Sequence, residues 1–303
     1  MTIVNLTDRI QLGASDLRVS PLGVGTNAWG NQRQPDPALP GVFQAALDAG
    51  INLFDTAEIY NFGRSEQTLG QFLPGASQPL VVTTKFFPLP WRLGKASLKH
   101  ALLASLDRLG LERVDLYLIH FPLPPVPLET WVEGLAAAKE AGLVRAVGVS
   151  NCSADQTRRA HGVLAKHGIP LACNQVEYNL LKRDVERNGV LATCQELRVT
   201  LVAYRPFASG YLTGKYTPEE KPKGPRRWMY RSNTFTRIQP LIARMRQIGE
   251  AHGGKTPSQV ALNWLVCKGV LPIPGATKVR HIQENAGALG WQLSETELNQ
   301  LEN

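Results

Sequence analysis

Apolar runs of strand length start near Leu22, Ile51, Leu80, Asp115, Val144, Ala172, Thr200 and Val270, with helix-period segments filling most of the intervals. Most starts recur at roughly the 30-residue length of a strand–helix unit. The runs are continuous rather than alternating, so each strand is expected to be buried on both faces, as in a parallel sheet. Eight such units predict an α/β chain closed into an (α/β)8 TIM barrel. An open doubly wound sheet is the competing architecture, and it needs a Gly-rich phosphate loop that follows the first strand and opens a helix. Here the first strand leads instead into GVGTNAWGNQRQP, where Gly23, Gly25 and Gly30 have another spacing and run into a proline-rich loop.

The helical segments are expected over 37–49, 65–72, 95–109, 128–141, 154–167 and 187–197. Before them, Ile10 to Leu12 and Leu17 to Val19 flank Gly13-Ala14-Ser15-Asp16 and read as an N-terminal β-hairpin that plugs one barrel end. The interval after strand 7 breaks the rhythm. A long Gly/Pro/basic loop reaches about Arg237, followed by helices over 239–252 and 256–268, the second with Thr256 as cap and Pro257 at its first position. A loop of that length is expected to be a lid or binding loop. Two last helices are expected over 278–289 and 294–301, the second opened by the capping box of Ser294 and Glu297. Residues 1–303 are read as one barrel domain.

With 43% hydrophobic and 19% charged residues, the chain has the makings of a large core, which excludes disorder. The opening MTIVNLTDRIQLG lacks a secretory pattern, and no stretch approaches the roughly 18 apolar residues of a membrane span. A cytoplasmic location, away from membranes, is the expectation. Cys152, Cys173, Cys194 and Cys267 form no CxxC pair, so neither a disulfide framework nor a metal site is expected. Much of the net charge of +8 is concentrated between Lys215 and Arg231, a stretch without a nucleic-acid module, so no nucleic-acid partner is expected. That stretch reads either as a solvated basic loop or as one that attracts a phosphorylated small molecule.

Four ionisable residues stand at or just after strand ends: Asp55, Tyr60, Lys85 and His120. Successive barrel strands deliver their C-terminal ends to one face, so the four are expected to converge. Together they suit proton donation. A free phenol has a pKa near 10, and a neighbouring ammonium lowers it by favouring the phenolate. Lys85 is expected to be that ammonium, Asp55 to keep it charged, and His120 to orient a carbonyl or share the proton. No side chain supplies hydride, so the set requires a cofactor.

DTAEIYNFGRSEQTLG (55–70), VVTTKFF (81–87) and LYLIHFP (116–122) resemble the three catalytic blocks of the aldo-keto reductase superfamily. The resemblance extends through VGVSNCS (147–153), NQVEYNLL (174–181), AYRPFASGYLTGKY (203–216) and IPGATKVRHIQENAGAL (273–289). In detail the chain is most similar to the branch of potassium-channel β-subunit-like proteins and plant and cyanobacterial reductases with an LPWR segment, here Leu89 to Arg92.

The resemblance implies a barrel that binds NADPH, or NADP+ as product, without a Rossmann fold, and a catalytic tetrad of Asp55, Tyr60, Lys85 and His120 with Tyr60 as general acid. It places Ser150, Asn151 and Gln175 on the nicotinamide carboxamide, Tyr204 under the ring, and Thr26 and Asn27 near it. It puts Pro206, Phe207, Ala208, Gly210, Leu212 and Lys215 in a loop over the pyrophosphate. Gly275, Thr277, His281, Glu284 and Asn285 match the adenosine end. Two positions depart from the family pattern. Arg205 stands where serine is usual, replacing a hydroxyl contact to the phosphates with a guanidinium one. His281, preceded by Arg280, stands near the adenosine phosphate where arginine or glutamine is frequent, so NADPH preference rests on Lys215, Lys278, Arg280 and Arg226.

Trp29, Phe86, Trp91 and Phe121, all read as lying on loops after the strands, are expected to line an apolar substrate slot with Tyr60 and His120. The reading is an NADPH-dependent reductase of small-molecule aldehydes and ketones. Two alternatives are an NADPH-binding redox-sensing subunit with little turnover and a Schiff-base lyase using Lys85.

Overall fold

A computed structural model describes residues 3–31, 36–217, 220 and 232–303. Strands β1 (Ile10–Gln11) and β2 (Arg18–Val19) pair antiparallel as the expected hairpin. Eight parallel strands follow: β3 (Val24–Gly25), β4 (Leu53–Asp55), β5 (Val81–Phe86), β6 (Val114–Ile119), β7 (Val144–Ser150), β8 (Leu171–Glu177), β9 (Thr200–Tyr204) and β10 (Leu271–Pro272). They lie side by side in chain order, each paired with the next. The seam between first and last closes through backbone groups: Gly23 N–H donates to the Pro272 carbonyl and Gly25 N–H to that of Pro274, both at 3.0 Å. Gly25 also bridges Gly275 in parallel. Glycine is needed at this seam, because a Cβ on Gly25 would lie 3.0 Å from the Ile273 carbonyl oxygen.

Side chains divide by the two-residue strand period. Leu116 and Leu118 point into the barrel with Leu53, Val81 and Val202, while Tyr117 and Ile119 face the helices. The hairpin contributes Leu12, Leu17 and Val19 to the inner cluster. Gly13 N–H donates to Thr200 Oγ1 at 2.7 Å, at the start of β9. The hairpin therefore seals the N-terminal end and leaves the opposite end as the mouth.

The outer layer holds α1 (Leu39–Asp48), α2 (Arg64–Phe72), α3 (Lys95–Leu109), α4 (Leu128–Glu140), α5 (Ala154–Lys166), α6 (Asp184–Arg187) and α7 (Val190–Glu196). It continues with α8 (Ser232–Ala251), α9 (Pro257–Cys267), α10 (Val279–Ala286) and α11 (Glu295–Glu302). The helix expected over 187–197 is split at Gly189, whose φ of 81° is left-handed. The helix expected from 239 begins earlier, at Ser232, and holds Pro240 in its interior. Interior proline costs about 3 kcal/mol. Phe235, Ile238, Ile242 and Met245 recur at helical spacing and are all buried, at roughly 1.5–3 kcal/mol each, so the apolar face prevails. The capping boxes at Thr256 and Ser294 form as expected. Among the described residues no helix is long and apolar enough to cross a membrane.

Candidate active site

Asp55 closes β4 and Lys85 is the penultimate residue of β5, so both side chains reach the mouth from inside the barrel. Lys85 Nζ donates to Asp55 Oδ1 at 2.6 Å, to the Thr56 carbonyl at 2.8 Å and to the Tyr60 hydroxyl at 3.3 Å. Asp55 Oδ2 accepts from Gln175 Nε2 of β8 at 2.7 Å. Lys85 is 0% exposed. Burial pulls its pKa down, but the Asp55 carboxylate and the Tyr60 oxygen outweigh burial and hold it above the usual lysine value. The group is an ammonium.

Tyr60 sits on a tightly turned loop. Asn61, Phe62 and Gly63 have φ of 51°, 58° and 84°, three successive left-handed residues. Asn61 Nδ2 pins the turn by donating to the carbonyls of Asn27 at 2.9 Å and Trp29 at 2.8 Å. Burial raises the Tyr60 pKa, Lys85 lowers it, and the net shift is upward. This corrects the expectation that the ammonium brings the phenol below its ordinary value. The phenol is fully protonated at neutral pH.

His120 follows β6, its backbone N–H donating to the Phe86 carbonyl at 2.8 Å. Its ring meets Tyr60 edge-on at 5.7 Å and Phe87 at 5.6 Å, and stacks on Phe121 at 5.1 Å. Burial, then the Lys85 charge, pulls its pKa down to about 3, so the imidazole is neutral. Its buried Nδ1 has no hydrogen-bond partner among the described residues. A neutral imidazole can orient a carbonyl; it is not a store of a second proton at pH 7.

A second bonded set lies beside the first. Asn151, with φ of 59°, donates to the His120 carbonyl and to Ser150 Oγ, both at 3.0 Å, and accepts from the Tyr204 hydroxyl at 2.9 Å. Ser150 Oγ donates to the Gln175 carbonyl at 2.7 Å. Ser150, Asn151, Gln175 and Tyr204 are thus linked through Gln175 to Asp55. Thr26 is fully buried, its Oγ1 donating to the Asp55 carbonyl at 2.9 Å beside Ser65 Oγ at the same distance, so it holds strand ends together. The Asn27 carbonyl receives Asn61.

After β9 the backbone is left-handed at Arg205, Ala208, Ser209 and Gly210, with φ of 50°, 48°, 60° and 104°. The Phe207 carbonyl accepts the N–H groups of Gly210 at 2.9 Å and Leu212 at 3.1 Å. Pro206 and Leu212 are buried. Ala208 N–H likewise donates to the Arg205 carbonyl at 2.9 Å, so these N–H groups close the turn on itself. Arg205, 57% exposed at its side chain, lies 3.8 Å from Glu177. Lys215 is exposed, 5.5 Å over the Tyr216 ring.

Beyond β10, exposed Gly275 and half-buried Thr277 lead into α10, with Lys278 as its N-cap and Arg280 in its first turn, both exposed. Thr277 N–H donates to His281 Nδ1 at 3.3 Å. Burial, then the charges of Arg280, Lys278 and Lys215, pull the His281 pKa down, partly offset by Glu284. Arg280, Lys278 and Lys215 thus all act electrostatically on this imidazole. Glu284 accepts from Thr256 Oγ1 at 3.1 Å, and Asn285 is buried. Arg226 and most of 215–231 lie outside the described residues.

Two substrate-wall expectations are corrected. Trp29 is fully buried, donating from Nε1 to the Ala276 carbonyl at 2.7 Å and packing on Phe54 and Phe72. Phe86 is equally buried, against Trp131 at 4.8 Å. Neither faces the mouth. Trp91 stands on the rim, 73% exposed, and Phe121 lies on His120. The aromatic that sequence reasoning missed is Phe87. Its signal was parity: Lys85 points inward, so Phe86 points out and Phe87 in. Glu58 and Arg92, which bond to each other and to Phe87, were also missed.

Residues 21–303 match the model of the Aldo/keto reductase family. The chain belongs to the aldo-keto reductase family. Its hairpin, Ile10 to Val19, precedes the matched span. Chloroplastic pyridoxal reductase of Arabidopsis thaliana is 42% identical to this aldo-keto reductase over 305 residues, covering 94% of this chain and 83% of that protein. The Schizosaccharomyces pombe aldo-keto reductase yakc [NADP(+)] is 33% identical, with 88% and 82% covered. Glycerol dehydrogenase from Gluconobacter oxydans is similar in structure, with a TM-score of 0.87 at 27% identity over 98% of this chain and 94% of that one. An aldo-keto reductase from Klebsiella pneumoniae in complex with NADPH gives a TM-score of 0.78 at 28% identity, over 100% and 95%.

Proposed function

We propose that the chain is an NADPH-dependent reductase that converts aldehydes and ketones to alcohols, with Tyr60 as general acid. One observation carries this reading: a single buried ammonium, Lys85, touches both the Asp55 carboxylate at 2.6 Å and the Tyr60 hydroxyl at 3.3 Å, beside a neutral His120. NADPH, when bound, supplies hydride to the carbonyl carbon. Tyr60 gives its proton to the carbonyl oxygen, and the negative charge left on the phenol oxygen is met by Lys85. Asp55 keeps Lys85 charged. His120 donates an N–H to the same carbonyl oxygen and so aims it at Tyr60.

The residues present fit the cofactor. Ser150, Asn151, Gln175 and Tyr204 would hold the nicotinamide end, and the left-handed turn at Ala208 to Gly210, with Arg205 and Lys215, the pyrophosphate. Thr277, Lys278 and Arg280 would meet the adenosine phosphate at the start of α10. The positive charge that Arg280, Lys278 and Lys215 bring near His281 supports a dianionic phosphate at this end. The relative with NADP(+) in its name and the neighbour bound to NADPH support the same choice. A Schiff-base role for Lys85 is disfavoured, because a buried ammonium with three acceptors is a poor nucleophile.

The substrate class is proposed as aromatic and medium-sized carbonyl compounds, pyridoxal among them in view of the plant relative's name. The test is NADPH oxidation with pyridoxal, benzaldehyde and propionaldehyde, and fluorescence titration with NADPH and NADH. Turnover of a carbonyl with tighter binding of NADPH is expected; absence of turnover with every carbonyl overturns the reading.

A further inference from the structure

We infer that Glu58 and Arg92 are positioning residues whose ion pair fastens the 87–92 loop to the loop carrying Tyr60, fixing the aromatic wall that selects bulky carbonyl substrates. The inference rests on the carbonyl-reductase reading above.

Arg92 grips Glu58 with both ends of its guanidinium: Nη1 donates to Oε1 at 2.5 Å and Nη2 to Oε2 at 3.0 Å. Nη1 also donates to the Phe87 carbonyl at 2.8 Å, and Phe87 N–H donates to Glu58 Oε1 at 2.6 Å. Phe87 is therefore held at both its backbone groups by one ion pair. The guanidinium lies 5.0 Å from the centre of the Phe86 ring. The two side chains are 19% and 9% exposed, so the pair is shielded from water on most sides.

The 87–92 loop has little else to hold it. Its internal bonds are Leu89 N–H to the Phe87 carbonyl and Arg92 N–H to the Leu89 carbonyl, both at 2.9 Å. Among the described residues its hydrogen bonds to the rest of the chain go to Glu58 alone. Pro88 and Pro90 have no N–H to offer. Glu58 stands two residues before Tyr60, so the anchor sits on the loop that carries the phenol. What the anchor positions is specific: the Phe87 ring lies edge-on to His120 at 5.6 Å and to Phe121 at 5.9 Å, with Trp91 on the rim beside Arg92. A bidentate carboxylate–guanidinium contact is directional, whereas a lysine ammonium is a point charge and cannot span both oxygens.

The test uses the whole enzyme with Arg92→Ala, Arg92→Lys and Glu58→Gln, reading kcat and KM for benzaldehyde and for propionaldehyde. NADPH affinity is read by fluorescence titration. Arg92→Ala is expected to raise KM for benzaldehyde about tenfold, with kcat for propionaldehyde and NADPH affinity within about twofold of wild type. Arg92→Lys is expected to fall between, and Glu58→Gln combined with Arg92→Ala to be little worse than Arg92→Ala alone, because the pair acts as a unit. An unchanged ratio of KM for the two aldehydes overturns the inference, as does an equal loss with both. If Arg92→Ala fails to fold, Arg92→Lys decides by the same ratio. A wild-type enzyme that turns over no carbonyl defeats the underlying reading and this inference with it, whereas wild-type turnover with an unaltered Arg92→Lys ratio defeats this inference alone.

Discussion

Lys85 and Lys215 are the same side chain in opposite settings. Lys85 is sealed inside the barrel mouth with a carboxylate, a carbonyl and a phenol as partners, all supplied by the fold. Lys215 stands in solvent and, with exposed Lys278 and Arg280, presses its charge on His281. The first region comes with its counter-charges built in; in the second, Lys215, Lys278 and Arg280 form no ion pair among the described residues. Burial makes the first insensitive to salt and costly to disturb, while exposure leaves the second screened over roughly a Debye length of 8–10 Å. Rate and stability are therefore expected to depend on the first, and ligand affinity on the second.

Four measurements put that contrast to the test. Tyr60→Phe is expected to lower kcat by about 10²–10⁴-fold while NADPH still binds, as stopped-flow and fluorescence titration would report; a variant of near-normal rate removes Tyr60 from its role. Next in size, Asp55→Asn leaves the Lys85 ammonium buried without its anion and should cost about 3–5 kcal/mol in urea unfolding. Lys278→Ala, on the exposed side of the comparison, should stay within about 0.5 kcal/mol of wild type. Equal losses would erase the distinction.

The third concerns pH. His120 is held at about 3 against 6.5 for the free group. Between those values the unfolded chain binds more protons than the folded one, so this contribution is complete above 6.5 and is lost as pH falls toward 3. Wild type should lose about 2 kcal/mol more than His120→Asn on going from pH 7 to pH 5. Identical pH slopes in the two proteins would show that the imidazole is not held neutral. The smallest effect is expected from Arg280→Ala: NADPH affinity weakened about fivefold at low salt, less at high salt, with NADH affinity unchanged. A salt-independent loss would mean that this end is also built rather than solvated.

The four ionisable groups were legible because an ionisable residue at the end of an apolar run is an anomaly in hydropathy, and a barrel brings all strand ends to one mouth. DTAEIY, VVTTK and DLYLIH each carry that anomaly. The barrel was legible from the spacing of the same runs. Trp29 and Phe86 misled because composition cannot tell a ring facing helices from one facing the mouth; counting from Lys85 by twos would have selected Phe87 instead. The start of α8 was obscured by Pro240, whose local cost is visible in sequence while the burial of Phe235 and Ile238 that overrides it is not. The upward shift of Tyr60 was hidden for the same reason. Neighbouring charges can be guessed from motifs, but depth of burial is a property of the assembled mouth.

The seam where Gly25 meets Gly275 has a consequence for how the protein comes into being. Across it, Trp29 bonds to Ala276, 247 positions later in the chain. Contacts of such separation are the slowest to form. Residues proposed to hold opposite ends of the cofactor lie just beyond the two edges that meet here, Asn27 after β3 and Thr277 after β10. During synthesis the ribosome must therefore release most of residues 1–272 before the two edges can meet, and a chain truncated before β10 would carry Asp55, Tyr60, Lys85 and His120 yet lack one wall of the proposed dinucleotide groove.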